Sequence, residues 1–202
     1  MNKGWLCAGL AMAVGPGPAH AHSSVPGIDG FYVGLLHPFS TPSQALVILG
    51  LGLLAGGFAP FRARWLLGAF LAATLLGLIL GSRSLPLEAM MFAIAFLAST
   101  SFALRPGNLL PLAIGLVAVG GVLIGTVSVP DPGPIRDRLV TMTGSTIGAN
   151  IGLLYVFGFV LFVKERYTWD WVGVALRVLS AWLGAISLVM LALQFAVSNT
   201  AP

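Results

Sequence analysis

The chain has 202 residues, 57% of them hydrophobic and only 8% charged, with a mean hydropathy of +0.97; soluble domains carry roughly 25% charged residues, so a soluble globular fold is excluded. One Cys and 3 His exclude a disulfide scaffold and a thiolate metal protein. The formal charge of +4 comes from Lys and Arg placed singly or in pairs, which form no patch able to follow a phosphate backbone. No nucleic acid is implied, and the basic excess is assigned to the topology of a polytopic membrane protein.

In chain order, Lys3, an apolar run over 5–14 and Ala19-His20-Ala21 predict a secretory signal over 1–21. Its apolar run is about ten residues, short of the roughly 20 that span a bilayer, and its end fits A-x-A cleavage. The mature chain then begins at His22 and holds no cysteine. Residues 22–42 are read as an outer-face segment, a small-residue amphipathic stretch lying along the membrane surface.

Six spans are expected within 43–202, bracketed by charges because a charge near the bilayer centre costs at least about 2.5 kcal/mol. The first covers 43–59, opened by Thr41 as N-cap and Pro42 at the first helical position. The second lies between Arg64 and Arg83, the third between Glu88 and Arg105, the fourth over 109–129, the fifth between Arg138 and Lys164, and the sixth over 172–197. The expected fold is an all-α integral membrane bundle of six helices after a cleaved signal, with both termini outside. Arg62, Arg64, Arg105, Lys164 and Arg166, with Arg177 close by, fall on the proposed cytoplasmic side against Arg83, Arg136 and Arg138 outside, the bias of the positive-inside rule. Tyr167, Trp169 and Trp171 mark the same edge as an aromatic belt. The location expected is a bacterial inner membrane, with the N-terminus in the periplasm.

Chemistry-bearing residues are few. His37 precedes the first span, and His22 would carry both a free α-amine and an imidazole after cleavage, a chelate suited to a transition metal. Asp29 could join His22 and His37 after a reverse turn through Pro26-Gly27, giving an oxygen and nitrogen ligand set for nickel, cobalt or copper. In each case a structural role stands beside the functional one: a turn, a terminus, a packed imidazole. The fifth span carries Thr143, Ser145, Thr146 and Asn150, which either line a polar pathway or bond to neighbouring helices. Met90, Met91 and Met142 either offer thioethers to a soft ion or fill core space. No acid/base pair, HExxH, CxxC or Gly-x-x-x-x-Gly-Lys-Ser/Thr loop occurs, so neither an enzyme nor a nucleotide site is expected.

The signal ending in Ala-His-Ala, the following His22 and the string Gly30-Phe31-x-x-Gly34-x-x-His37-Pro38 before six short spans resemble the HupE/UreJ family of small nickel/cobalt permeases. The run Arg177-Val178-Leu179-Ser180-Ala181-Trp182-Leu183-Gly184-Ala185-Ile186 is similar to the family's last helix. The resemblance implies transition-metal uptake with His22 and His37 as outer-face ligands. In the family, His-Pro is followed by x-x-Gly-x-Asp-His; here Thr41, Ser43 and Gln44 occupy those positions, and the fourth span lacks the family's histidines. Two readings follow. One is a metal permease or uptake accessory; the other is a non-transporting subunit packed in the bilayer against a larger respiratory, photosynthetic or metal-enzyme complex, or against its own copies.

Overall fold

The structure, a computed structural model, describes residues 28–81 and 87–200, which form seven helices and no strand. The expected signal segment and His22 lie outside the described residues. The helices are α1 (Ile28–Ser40), α2 (Pro42–Gly56), α3 (Pro60–Leu80), α4 (Leu87–Leu104), α5 (Leu110–Val127), α6 (Ile135–Arg166) and α7 (Asp170–Thr200). The last five are each long and apolar enough to cross a membrane. α2 alone is not: its 15 residues rise about 22 Å, against a hydrocarbon thickness of about 30 Å.

α1 and α2 meet the requirement only together, as a pair bent by 72°, giving six spans if the pair crosses as one. The bend has a covalent cause. Pro38 lies inside α1 and Pro42 occupies the first turn of α2; each lacks the N–H that would continue the ladder. Thr41 sits at the expected N-cap position in an extended conformation, without a side-chain cap bond.

The stretch expected along the membrane surface is helical from Ile28, with one face packed against α6 at the edge of the bundle and Tyr32, Val33 and Leu36 exposed. Glycines set that contact. A Cβ on Gly34 would strike the Thr141 carbonyl, one on Gly144 the Phe31 carbonyl, and one on Gly148 the Leu35 carbonyl, so the α1 and α6 backbones touch. Farther along α6, Gly52 and Gly56 of α2 lie against Val156 and Val160. The broken pair thus follows one 32-residue partner, whose length is about 48 Å.

α2 is the axis of the bundle. It is apolar on all sides, and Gly50 to Gly56 are buried without interruption, the pattern of a helix enclosed by others. Around it α3 pairs with α5, where Gly77 and Gly125 meet, and α4 pairs antiparallel with α7, joined by the Ser180 hydroxyl donating to the Ser99 carbonyl at 2.8 Å and by Gln194 donating to Glu88 at 3.1 Å. The outward faces remain apolar, with Ile79, Tyr155 and Trp182 largely exposed, as suits helices whose surroundings are lipid.

The ends of α2, α4 and α6 and the starts of α3, α5 and α7 share one basic end. Lys164 Nζ donates to the Gly56 carbonyl at 3.2 Å, and Arg177 Nε to the Ala103 carbonyl at 2.6 Å. Both cations sit where a helix C-terminus carries its partial negative charge. Tyr167, Trp169 and Trp171 stack in sequence with centroids 5.6 Å apart at each step, and Arg64 lies 4.3 Å from the Phe61 ring centroid.

Candidate functional site

At the opposite end, the break between α1 and α2 brings several polar side chains together, His37, Ser43 and Gln44 among them. The His37 carbonyl accepts from the Ser40 hydroxyl at 3.1 Å and from the Thr41 N–H at 3.2 Å, which closes the last turn of α1. The imidazole then meets the first turn of α2, where Gln44 Nε2 lies 3.1 Å from His37 Nε2. With the amide as donor, the ring proton resides on Nδ1. Gln44 is fully buried, and its Oε1 has no hydrogen-bond partner; the Oγ of buried Ser43 has none either. A buried polar atom left without a partner costs about 1–3 kcal/mol, a cost that a polar partner at the break would relieve.

His37 also lines a cavity of about 250 Å³ with Ser128, Asp131, Thr141 and Ser145 among its walls. Ser145 Oγ donates to Ser128 Oγ at 2.8 Å, and Ser128 Oγ donates onward to the Ile124 carbonyl at 2.7 Å, tying α6 to the end of α5. The donor set is one imidazole, one carboxylate and three hydroxyls, nitrogen and oxygen only. That chemistry suits borderline divalent ions better than Cu(I), which favours sulfur. No three His, Cys, Asp or Glu side chains come together among the described residues; of these residue types, His37 and Asp131 line the cavity.

The expected site residues separate. Asp29 falls in the first turn of α1, eight positions before His37, a rise of about 12 Å; α1 by itself does not bring the two together. Ser145 faces the cavity. Thr143, Thr146 and Asn150, spaced i, i+3, i+7, lie on another face of α6. Thr143 bonds back to the Leu139 carbonyl at 2.7 Å and Thr146 to the Met142 carbonyl at 2.9 Å. Asn150 Nδ2 donates to Thr74 Oγ1 at 3.2 Å and to the Thr146 carbonyl at 2.9 Å, a tie between α3 and α6. Met91 is buried and Met90 exposed, so these neighbours diverge.

Sequence reasoning passed over Ser128 and Asp131 as site residues. Asp131 is the one acid in the Pro130-Asp131-Pro132-Gly133-Pro134 loop, a signal that pointed to it. Gln44 was noted only as the occupant of a missing ligand's position.

Membrane-length helices around a helix broken beside a histidine define a multi-pass membrane protein with a polar cluster at that break. The family described as HupE / UreJ protein matches residues 10–184. The chain belongs to the HupE/UreJ family, which places it among membrane proteins related to metal transport. No curated protein and no solved structure matches it.

Proposed function

We propose that this protein admits a borderline divalent transition-metal ion, nickel or cobalt, at the cavity beside α1 and passes it along the break between α1 and α2. His37 supplies the nitrogen, its Nε2 exchanging the Gln44 amide for the ion, and Asp131 supplies the carboxylate. Gln44 and Ser43, with oxygen atoms buried and unpartnered, receive the ion at the head of α2. His22 and Asp29 serve as the first capture groups on the N-terminal side. Ser145 belongs to this mouth, whereas Asn150 serves the α3–α6 contact and Thr143 and Thr146 bond within α6. By the positive-inside rule the basic end faces the cytoplasm, which sets the mouth on the periplasmic side of the inner membrane.

The observation that carries this reading is the His37–Gln44 contact at a helix break, because broken membrane helices hold the ion sites of many transporters. The test is nickel or cobalt uptake into proteoliposomes. His37→Ala should reduce uptake to the level of empty vesicles, while Ser43→Asp with Gln44→His, which restores the family's ligand types, should tighten ion binding at least about ten-fold, as expected for two added ligands. Uptake that survives His37→Ala would overturn the proposal. Wild-type protein that moves no ion and copurifies with a fixed second chain would support the non-transporting subunit instead.

A further inference from the structure

A second cavity, of about 400 Å³, opens at the basic end between the close of α4 and the start of α5. Its floor and walls are mostly apolar, from Leu54 of the central helix, Leu104, Leu112, Ala113 and Leu116, with the Ser101 hydroxyl turned to the Leu97 carbonyl, and its rim carries Arg105 and Asn108. Hydrocarbon below and a cation above is the pattern of a site for an amphiphile with an anionic head.

The charge at the rim is uncommitted. Arg177 and Lys164, the neighbouring cations, are held by the terminal carbonyls of α4 and α2. Arg105 is exposed and forms no ion pair with any described residue. The first turn of α5 beside it has no side-chain cap, so its partial positive charge adds to that of Arg105.

The rim is also fixed in place. Gly107, at φ +74, brings the α4–α5 loop so close to Gly57 that a Cβ on Gly57 would lie 2.7 Å from the Gly107 nitrogen. Asn108 Oδ1 accepts from the Leu109 N–H at 2.9 Å and holds Leu109 in a left-handed conformation, φ 54. Leu109 thereby stands exposed at the mouth of the cleft.

We infer that this cleft binds one anionic phospholipid, its phosphate on Arg105 and the first turn of α5, and an acyl chain against Leu54, Ala113 and Leu116. The source is the bilayer itself: charge complementarity selects the head, and the apolar floor takes the chain. The site lies at the other end of the molecule from the proposed ion mouth, and its test is independent of transport.

The experiment is native mass spectrometry of the full chain released from micelles containing equal phosphatidylglycerol and phosphatidylcholine. One phosphatidylglycerol should remain bound in preference to phosphatidylcholine. Arg105→Gln should weaken that retention about ten-fold, the size of one lost charge-assisted hydrogen bond, while Arg62→Gln and Arg166→Gln, at the same end but outside the cleft, should not. Equal retention by Arg105→Gln, or equal loss in Arg62→Gln, would overturn the inference, the latter by showing a diffuse surface effect. Displacement of the lipid by millimolar inorganic phosphate would also overturn it, because the acyl chain would then contribute nothing.

Discussion

The α3–α5 seam and the α1–α6 seam are built alike, from glycines that let two backbones touch, yet they lie in different chemical surroundings. In the first, Gly77 meets Gly125 and Gly121 meets Ala73, flanked by fully buried Phe70 and Ile124. Its hydroxyl protons are spent inside their own helices, Thr74 donating to the Leu71 carbonyl and Thr126 to the Leu123 carbonyl. In the second, Gly34, Gly144 and Gly148 bring α1 against α6, and the same contact sets His37 beside Thr141 and Ser145. A small-residue seam thus supplies proximity alone. Chemistry comes from the side chains it brings along, and here only α1 carries a histidine and a break.

The comparison is broken most forcefully at the glycines. Gly77→Leu has no room, since a Cβ there strikes the Val122 carbonyl, and overpacking costs about 1–3 kcal/mol, more where the obstacle is backbone. The variant should accumulate poorly and unfold at lower temperature. Gly148→Leu meets the Leu35 carbonyl in the same way, but α1 packs at the edge of the bundle and can yield. The expected outcome is a folded bundle, with residues 28–40 newly open to protease and nickel uptake lost. If both variants lose global stability equally, the two seams are equivalent and α1 is core.

Gln44→Leu sharpens the contrast between stability and function within the mouth. The substitution removes a buried oxygen without a partner, a relief of about 1 kcal/mol or more, and takes away the donor to His37, a loss of about 1 kcal/mol. Thermal unfolding should therefore change little. Ion binding, measured by calorimetry with nickel, should fall, because the polar receiver at the head of α2 is gone. A fall in both would make Gln44 a structural residue.

Charge and hydropathy made most of the architecture legible in advance. Glu88 and Arg105 bracket α4, observed at Leu87–Leu104, and the span expected over 109–129 is α5, Leu110–Val127, because the cost of burying a charge locates helix ends directly. α1 was not legible as a helix. Its Pro38 and three-fold small and apolar pattern fit a surface strap equally well, and its partner is recognised only by glycines a hundred residues away on α6. For the same reason Thr143, Ser145, Thr146 and Asn150 read as one polar group in sequence. The 100° turn per residue splits them, and only the position of α1 and α5 decides that Ser145 faces the cavity.

Asn150 tests that division. Asn150→Leu loses the bond to Thr74, and such interhelical bonds average about 0.6 kcal/mol in membrane proteins. Uptake should be unchanged, and a double-mutant cycle with Thr74→Val should recover the coupling. A loss of uptake with intact stability would return Asn150 to the ion's path.

The smallest effect is expected at the basic end, where the cations divide their work. Arg177 donates to the Ala103 carbonyl at 2.6 Å, and its second group reaches the Leu104 carbonyl at 3.5 Å. Both carbonyls belong to the last turn of α4, where a cation contributes about 0.3–1 kcal/mol through the helix dipole. The side chain is exposed, so salt screens part of this and Arg177→Gln should lower stability by about 0.5 kcal/mol, less at high ionic strength. Arg177→Lys keeps the charge but not the forked reach, and should fall between the two. Arg105→Gln touches no helix terminus carbonyl and should leave unfolding in zwitterionic detergent unchanged. A pair of variants on neighbouring arginines that separate in this way, one shifting stability and the other lipid retention, would show that the basic end combines a fixed cap with a free binding charge rather than a uniform field.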